Sequence, residues 1–267
     1  MAKKGASTDA TRLKAQEMRQ KQAQKEKQTR AIIFAVVGVL LAITVIAVIW
    51  VITQSNAQKQ ENQVEGSGDG TVTSMVVSAE GTGVADPAVP TLQEYFDYSC
   101  HACANMETMI GPEMWTAVEN GEINLELIPV NVVRMAWQFP TAHAAFLIYE
   151  NEPEKFADFH HEAHSFFHSQ FTAGDASIIQ DEAKSLEKVK EIATEVGVSS
   201  ELVDKFTADG ANDVLETNTQ AWSEADVEGR DGLGTPEYVS GGKQIRISGN
   251  NAEEVAQMLL DGVKAAN

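Results

Sequence analysis

The stretch Glu94–Cys103, EYFDYSCHAC, decides the fold of this chain. It ends with Cys100 and Cys103, three positions apart, and these are the only two cysteines among the 267 residues. Any intramolecular disulfide must therefore join these two sulfurs. Closing so short a loop constrains the unfolded chain very little, so the pair is a poor structural brace. The spacing instead indicates a dithiol that takes part in redox chemistry.

A strand and a helix flank the two cysteines. Residues 90–96, PTLQEYF, read as a short buried strand, and residues 100–119 carry apolar side chains at helical spacing. Residues 123–130, INLELIPV, alternate like a second strand. We therefore expect a right-handed β-α-β unit with parallel strands and the cysteines at its first strand-to-helix turn.

The rest of the chain predicts a helical segment and then a β-β-α ending. The helical segment covers about residues 135–225, and the ending consists of a hairpin around Gly241-Gly242 and a helix over 251–265. The helices predicted within the segment span residues 141–150, 153–167, 181–196, 200–206 and 211–225.

The N-terminal part divides into three pieces before a domain over residues 72–267. Residues 1–30 form a basic tail, residues 31–53 are apolar and long enough for one transmembrane helix, and residues 54–71 are a polar, Gly-rich linker. Ser55-Asn56-Ala57 loosely resembles a signal-peptide cleavage site. The apolar run is longer than a usual signal-peptide core, which favours an uncleaved signal anchor.

Charge sets the expected orientation in the membrane. The tail has nine basic and three acidic residues, a net charge of +6, while the whole chain carries −19. Basic segments beside a membrane helix stay in the cytoplasm. We therefore expect a single-pass protein of the cell membrane with a cytoplasmic N-terminus and an extracytoplasmic domain. The strongly acidic remainder argues against nucleic acid as a partner.

A thiol at the first turn of a helix has unusual chemistry. Unpaired backbone N–H groups and the helix dipole favour its thiolate, so we expect the pKa of Cys100 to lie below its ordinary value. Cys103 is one turn further along the helix and can attack a mixed disulfide formed at Cys100. This arrangement meets the requirements of thiol–disulfide exchange.

Three segments resemble the thioredoxin superfamily, and within it the membrane-anchored, DsbA-like thiol–disulfide oxidoreductases of bacteria. They are Glu94–Cys103, Gly234-Thr235-Pro236 and the hairpin sequence YVSGGK over 238–243. The resemblance covers about residues 72–267. It implies an α/β, thioredoxin-like fold, β-α-β and then β-β-α, with a helical insertion between the two parts.

The resemblance also implies roles for individual residues. Cys100 would be the attacking and donating sulfur and Cys103 the resolving one. Thr235-Pro236 would be the family's cis-proline segment, which offers backbone to an extended substrate. Glu94 would be a buried acid that exchanges a proton with Cys103. Its place on the same face of a strand as two apolar residues supports burial over exposure to solvent.

The residues between the cysteines depart from the family pattern. DsbA-like sites often carry Pro and then His, whereas this chain has His101 and then Ala102. A protonated His101 beside Cys100 still favours a thiolate, so we expect His101 to tune the site. The effect of a histidine in the second position cannot be carried over to this chain.

The resulting functional hypothesis is an enzyme without a cofactor that introduces disulfides into secreted proteins. Reduced secreted proteins would be its substrates, and a membrane partner of the DsbB or vitamin-K-epoxide-reductase-like type would re-oxidise it. Two alternatives remain. The domain could be a disulfide reductase or isomerase, or a thioredoxin-like binding or chaperone module without redox catalysis.

Four of the six histidines, His160, His161, His164 and His168, fall on one predicted helix. Three of them follow a spacing of four, as metal ligands on one helix face do. Neighbouring phenylalanines favour ordinary amphipathic packing instead, and we predict no metal. Ala104 stands where a c-type haem motif requires histidine, which excludes covalent haem.

Overall fold

A six-stranded mixed sheet forms the centre of the computed structural model, which describes residues 71–249 and 251–267. Its spatial order is β2-β1-β4-β3-β5-β6. The strands are β1 (Met75–Ser78), β2 (Gly81–Thr82), β3 (Thr91–Phe96), β4 (Asn124–Pro129), β5 (Glu237–Ser240) and β6 (Lys243–Ile245).

Strand β3 is central and controls the register. It pairs in parallel with β4, from Thr91 opposite Asn124 to Phe96 opposite Pro129. On its other side it pairs antiparallel with β5, so that Tyr95 lies opposite Glu237. The beginning of β5 therefore lies beside the end of β3, where the cysteine motif follows.

Seven α-helices surround the sheet within the described residues. Helix α1 connects β3 to β4, five helices lie between β4 and β5, and the last follows β6. They are α1 (His101–Glu119), α2 (Gln138–Asn151), α3 (Phe156–Ala173), α4 (Glu182–Glu195), α5 (Ser200–Val203), α6 (Asn212–Glu224) and α7 (Ala252–Ala266).

The alternation of β3 divides the core. Leu92 and Phe96 are fully buried in the main cluster, which includes Ile110 of α1 and Leu259 of α7. Tyr95 points to the opposite face, in a smaller cluster that contains Trp222 of α6, stacked on it at 6.3 Å between ring centroids. Both faces of the sheet are therefore covered.

The thioredoxin-like order predicted from the sequence is confirmed, with the helical insertion between β4 and β5. The sequence analysis did not predict β1 and β2. The helix predicted over 200–206 is only the single turn α5, because i to i+3 hydrogen bonds continue the chain as turns. The helix predicted from Pro153 begins as a 3-10 turn and runs to Ala173, where Gly174 ends it with a φ of 69°.

Within the described residues, no helix is both long enough and apolar enough to cross a membrane. The predicted tail (1–30), the predicted membrane helix (31–53) and all but the last residue of the predicted linker (54–71) lie outside those residues.

Candidate active site

Cys100 is the N-cap of α1. Its backbone is extended (φ −88°, ψ 118°), and its sulfur accepts a hydrogen bond from the backbone N–H of Cys103 at 3.4 Å. The strand β3 ends at Phe96, and a turn closed by the Cys100 N–H and the Asp97 carbonyl (2.9 Å) starts the helix. The sulfur therefore takes the place that a capping oxygen usually occupies.

The two thiols are electrostatically different. The pKa of Cys100 is lowered to about 6. A hydrogen bond from the Cys103 thiol contributes most, burial acts against it, and the Thr235 side chain and two backbone N–H groups contribute to the same lowering. Burial raises the pKa of Cys103 well above its ordinary value. Cys100 is 8% exposed and Cys103 only 1%, so Cys100 is the less deeply buried of the two.

The segment Thr235-Pro236 faces Cys100 from the neighbouring strand. Its peptide bond is cis, as the sequence resemblance implies. The carbonyl oxygen of Thr235 lies 3.3 Å from the Cys100 sulfur, which donates to it as a thiol. Two segments far apart in the sequence therefore meet at one sulfur.

Glu94 lies beneath the pair, on the face of β3 that supports α1. Burial raises the pKa of its carboxyl to about 8, and the carboxylate of Glu107 adds to this shift. The hydroxyl of Tyr238 donates to Glu94 at 3.4 Å and acts in the opposite direction. The charges of Glu94 and Cys103 influence each other, so a proton held on one favours ionisation of the other.

A comparison with protein families agrees with this geometry. A family model described as thioredoxin matches residues 83–260. The chain belongs to the thioredoxin family. Among curated proteins, none matches this sequence.

Solved structures show the same fold. One is MdbA of Actinomyces oris, a thiol–disulfide oxidoreductase, with 24% identity, a TM-score of 0.51 and coverage of 59% of this chain and 73% of that one. MdbA of Corynebacterium diphtheriae has 17% identity, a TM-score of 0.52 and coverage of 74% and 95%. Oxidised BdbD of Bacillus subtilis has 16% identity, a TM-score of 0.52 and coverage of 76% and 97%.

His101 and Ala102 occupy the first turn of α1 in this thioredoxin-family domain. The ring of His101 stacks on Phe171 at 4.1 Å and on His168 at 5.5 Å between centroids, so the end of α3 holds it in place. Ala102 is exposed, and its backbone N–H faces the Cys100 sulfur. The helical insertion thus contacts the active-site turn directly.

The histidines of α3 lie at the active-site turn. His160 and His164 are buried, and burial lowers the pKa of each. His160 Nδ1 lies 2.9 Å from the hydroxyl of Tyr98, on which the ring of His164 stacks at 4.8 Å. In residues 71–249 and 251–267, no three His, Cys, Asp or Glu side chains are arranged to hold a metal ion.

The sequence analysis missed Glu107, one turn beyond Cys103. Its side chain is 10% exposed, lies 3.2 Å from His161 Nδ1 and accepts from the indole N–H of Trp115 at 3.3 Å. Its position four residues after Cys103 on the same helix is a signal that the sequence contained.

Asp97 was missed as well. It is fully buried, and its carboxylate accepts N–H groups from Ser99 at 2.7 Å and from Val132 and Val133 at 2.8 Å. It ties the cysteine turn to the loop after β4. Burial raises the pKa of Asp97, and these three hydrogen bonds oppose the shift. An acid directly after a buried strand is the signal for it in the sequence.

Proposed function

We propose that this chain is an extracytoplasmic thiol–disulfide oxidoreductase that introduces disulfide bonds into secreted proteins. The observation that carries the proposal is the inequality of the two sulfurs. Cys100 is the less buried of the two and has a pKa of about 6, whereas Cys103 is almost completely buried and its pKa is raised. A pair with one stable thiolate and one protected thiol suits transfer of a disulfide to a partner.

The oxidised pair acts on a client in two steps. A client thiolate attacks the sulfur of Cys100, the bond between Cys100 and Cys103 breaks, and the sulfur of Cys103 leaves with the electron pair. A second client thiolate then attacks the client sulfur of the mixed disulfide, and Cys100 leaves as a thiolate. The client loses two electrons and the pair gains them. A leaving thiol of low pKa favours the second step.

Glu94 supplies a proton at the first step. With a pKa of about 8 its carboxyl is largely protonated at neutral pH. The sulfur of Cys103 is buried and disfavours a charge. A proton passed from Glu94 to Cys103 therefore removes the unfavourable thiolate, and the reverse transfer serves re-oxidation.

Three sequence features support a location at the outer face of the cell membrane. They are the basic tail, the uncharged apolar run over 31–53 and a chain whose only cysteines form one redox pair. Outside the cytoplasm disulfides persist. The reduced pair must pass its two electrons to an oxidant, and we propose a membrane partner of the DsbB or vitamin-K-epoxide-reductase-like type.

The direct test uses the full-length protein in detergent with a reduced, unfolded secreted protein as client. The oxidised wild type should transfer one disulfide per molecule and become reduced, and Cys100→Ser should transfer none. If the wild type instead breaks client disulfides when supplied with electrons, the chain is a reductase. If Cys100→Ser still protects the client from aggregation as well as the wild type does, a binding module is the better description.

A further inference from the structure

Glu237, the residue directly after Pro236, is held by a buried ion pair. Arg230 donates Nε–H to one carboxylate oxygen at 2.8 Å and Nη2–H to the other at 2.6 Å. The two side chains are 10% and 1% exposed. A two-point contact of this kind fixes orientation as well as distance.

Further hydrogen bonds complete the arrangement. The Glu237 carboxylate also accepts from the indole of Trp222 at 2.6 Å and from the amide of Gln244 at 3.0 Å. The remaining Nη1 of Arg230 donates to the carbonyls of Trp222 at 3.0 Å and Ala225 at 2.8 Å. Arg230 therefore joins the end of α6, at the close of the insertion, to the beginning of β5.

The loop between the two ends of this contact supplies little restraint. Residues 231–234 are exposed, and a side-chain carbon added at Gly232 or Gly234 would meet no atom within 4 Å. Asp231 forms an exposed ion pair with Arg246, which also donates to the carbonyl of Gly229 at 2.7 Å. The position of Thr235 therefore depends on its anchored neighbours from Pro236 onward.

We propose that Arg230 is a positioning residue that, through Glu237, holds Thr235 against the sulfur of Cys100 and so sets the reactivity of that thiol. The expected effect on the rate of thiol–disulfide exchange rests on the proposed oxidoreductase function. The contacts from Arg230 through Glu237 to Thr235 do not depend on it. The carbonyl of Thr235 accepts from the Cys100 thiol at 3.3 Å and so favours the protonated sulfur, whereas the side chain of Thr235 favours the thiolate. A small displacement of Thr235 weakens both interactions, because hydrogen bonds lengthen and weaken together.

The test compares Arg230→Met with Arg246→Met in the reduced, full-length protein. Thiolate absorbance is titrated with pH, and the rate of exchange with oxidised glutathione is measured in the same samples. Arg230→Met should shift the titration midpoint of Cys100 away from that of the wild type and slow exchange by about tenfold, in line with the sensitivity of reactions to misplaced groups. Arg246→Met removes an exposed ion pair of the same loop and should leave both readouts within about twofold of the wild type.

Two further variants keep the test decisive if Arg230→Met does not fold, since it leaves a buried carboxylate unpaired. Arg230→Lys retains the charge without the two-point contact, and Arg230→Met/Glu237→Gln removes both charges. Each should show the shifted titration midpoint of Cys100. Wild-type titration and rate in all folded variants would overturn the proposal. A wild type that titrates as expected but exchanges with no client would overturn the proposed oxidoreductase function. The titration of the variants would then still test whether Arg230 positions Thr235.

Discussion

The sulfur of Cys100 lies 3.3 Å from the carbonyl oxygen of Thr235, although 135 positions separate the two residues in the sequence. The antiparallel pairing of β3 and β5 creates this contact, since the end of one strand lies beside the beginning of the other. Under the proposed function, a client thiol that attacks Cys100 would do so beside the backbone of Thr235.

The first prediction concerns ionisation of the reduced protein. One thiolate should appear with a midpoint near pH 6, the pKa of Cys100, and Cys100→Ser should abolish it. Cys103→Ala should raise the midpoint, because the thiol of Cys103 is the largest contribution to the lowered pKa. Ultraviolet absorbance of the thiolate, followed against pH, measures the midpoint in the wild type and in both variants. A wild-type midpoint near the ordinary cysteine value would contradict the assignment.

The same shift predicts how the stability of the reduced form changes with pH. A group whose pKa is lowered on folding binds fewer protons in the folded state, so it adds stability as pH rises between its two pKa values. Cys100 should therefore stabilise the reduced protein progressively from about pH 6 to about pH 9. Denaturant unfolding of the reduced wild type and of Cys100→Ser measures the difference, which should shrink as the pH is lowered to 6.

The second prediction assigns the order of the sulfurs. Cys103→Ser should accumulate mixed disulfides between Cys100 and client proteins, because Cys100 can attack while the residue that resolves the adduct is absent. Non-reducing gels of cell extracts, with reduced samples as the control, detect the adducts. Accumulation with Cys100→Ser instead would reverse the roles.

The third prediction concerns Glu94. Its pKa is raised on folding, so the folded state binds the extra proton and its stabilising effect is lost as pH rises from about 4.5 to about 8. Glu94→Gln should remove a loss on the order of 5 kcal/mol over that window. The matched control is Glu113→Gln, an exposed position on α1, which should keep the wild-type pH dependence. An unchanged slope in Glu94→Gln would place the carboxyl in solvent.

The local part of this site was predictable because neighbouring residues determine it. A strand pattern, a turn and a helical pattern place Cys100 at the start of α1, and the face shared by alternate strand residues indicates Glu94. The approach of Thr235 to Cys100 required the family resemblance, because no local pattern reports which strands become neighbours. Site roles for these residues remain predictions.

The unpredicted parts depend on contacts between distant elements. The pair Arg230 and Glu237 carries no motif, and only the folded chain shows that Trp222 completes it. The spacing of the α3 histidines correctly places His160 and His164 on a shared face. That face packs on the aromatic ring of Tyr98, which spacing alone does not reveal.

The fourth prediction tests topology. The basic tail should remain in the cytoplasm, so protease added to intact cells whose surface it can reach should degrade the domain over 72–267 and spare the tail. Tags at the two ends, followed by immunoblotting, report each side, and lysed cells provide the control in which both are degraded. A C-terminal tag that resists protease until lysis would reverse the orientation.

The last prediction is the direction of electron flow. A thiolate stabilised at Cys100 stabilises the reduced pair, and a stabilised reduced pair makes the disulfide a stronger oxidant. We expect a potential nearer the roughly −120 mV of a strong oxidant than the roughly −270 mV of thioredoxin, a gap of about 7 kcal/mol for two electrons. Equilibration with glutathione measures this potential. The variants His101→Ala and Phe171→Ala remove the ring stack beside Cys100, and they test whether contact with the helical insertion contributes to the potential. Because the reduced pair loses one proton near pH 6, the potential should fall by roughly 59 mV per pH unit below that point and roughly 30 mV above it. A potential below about −230 mV would favour the reductase, since a dithiol of so low a potential readily donates its electrons to client disulfides.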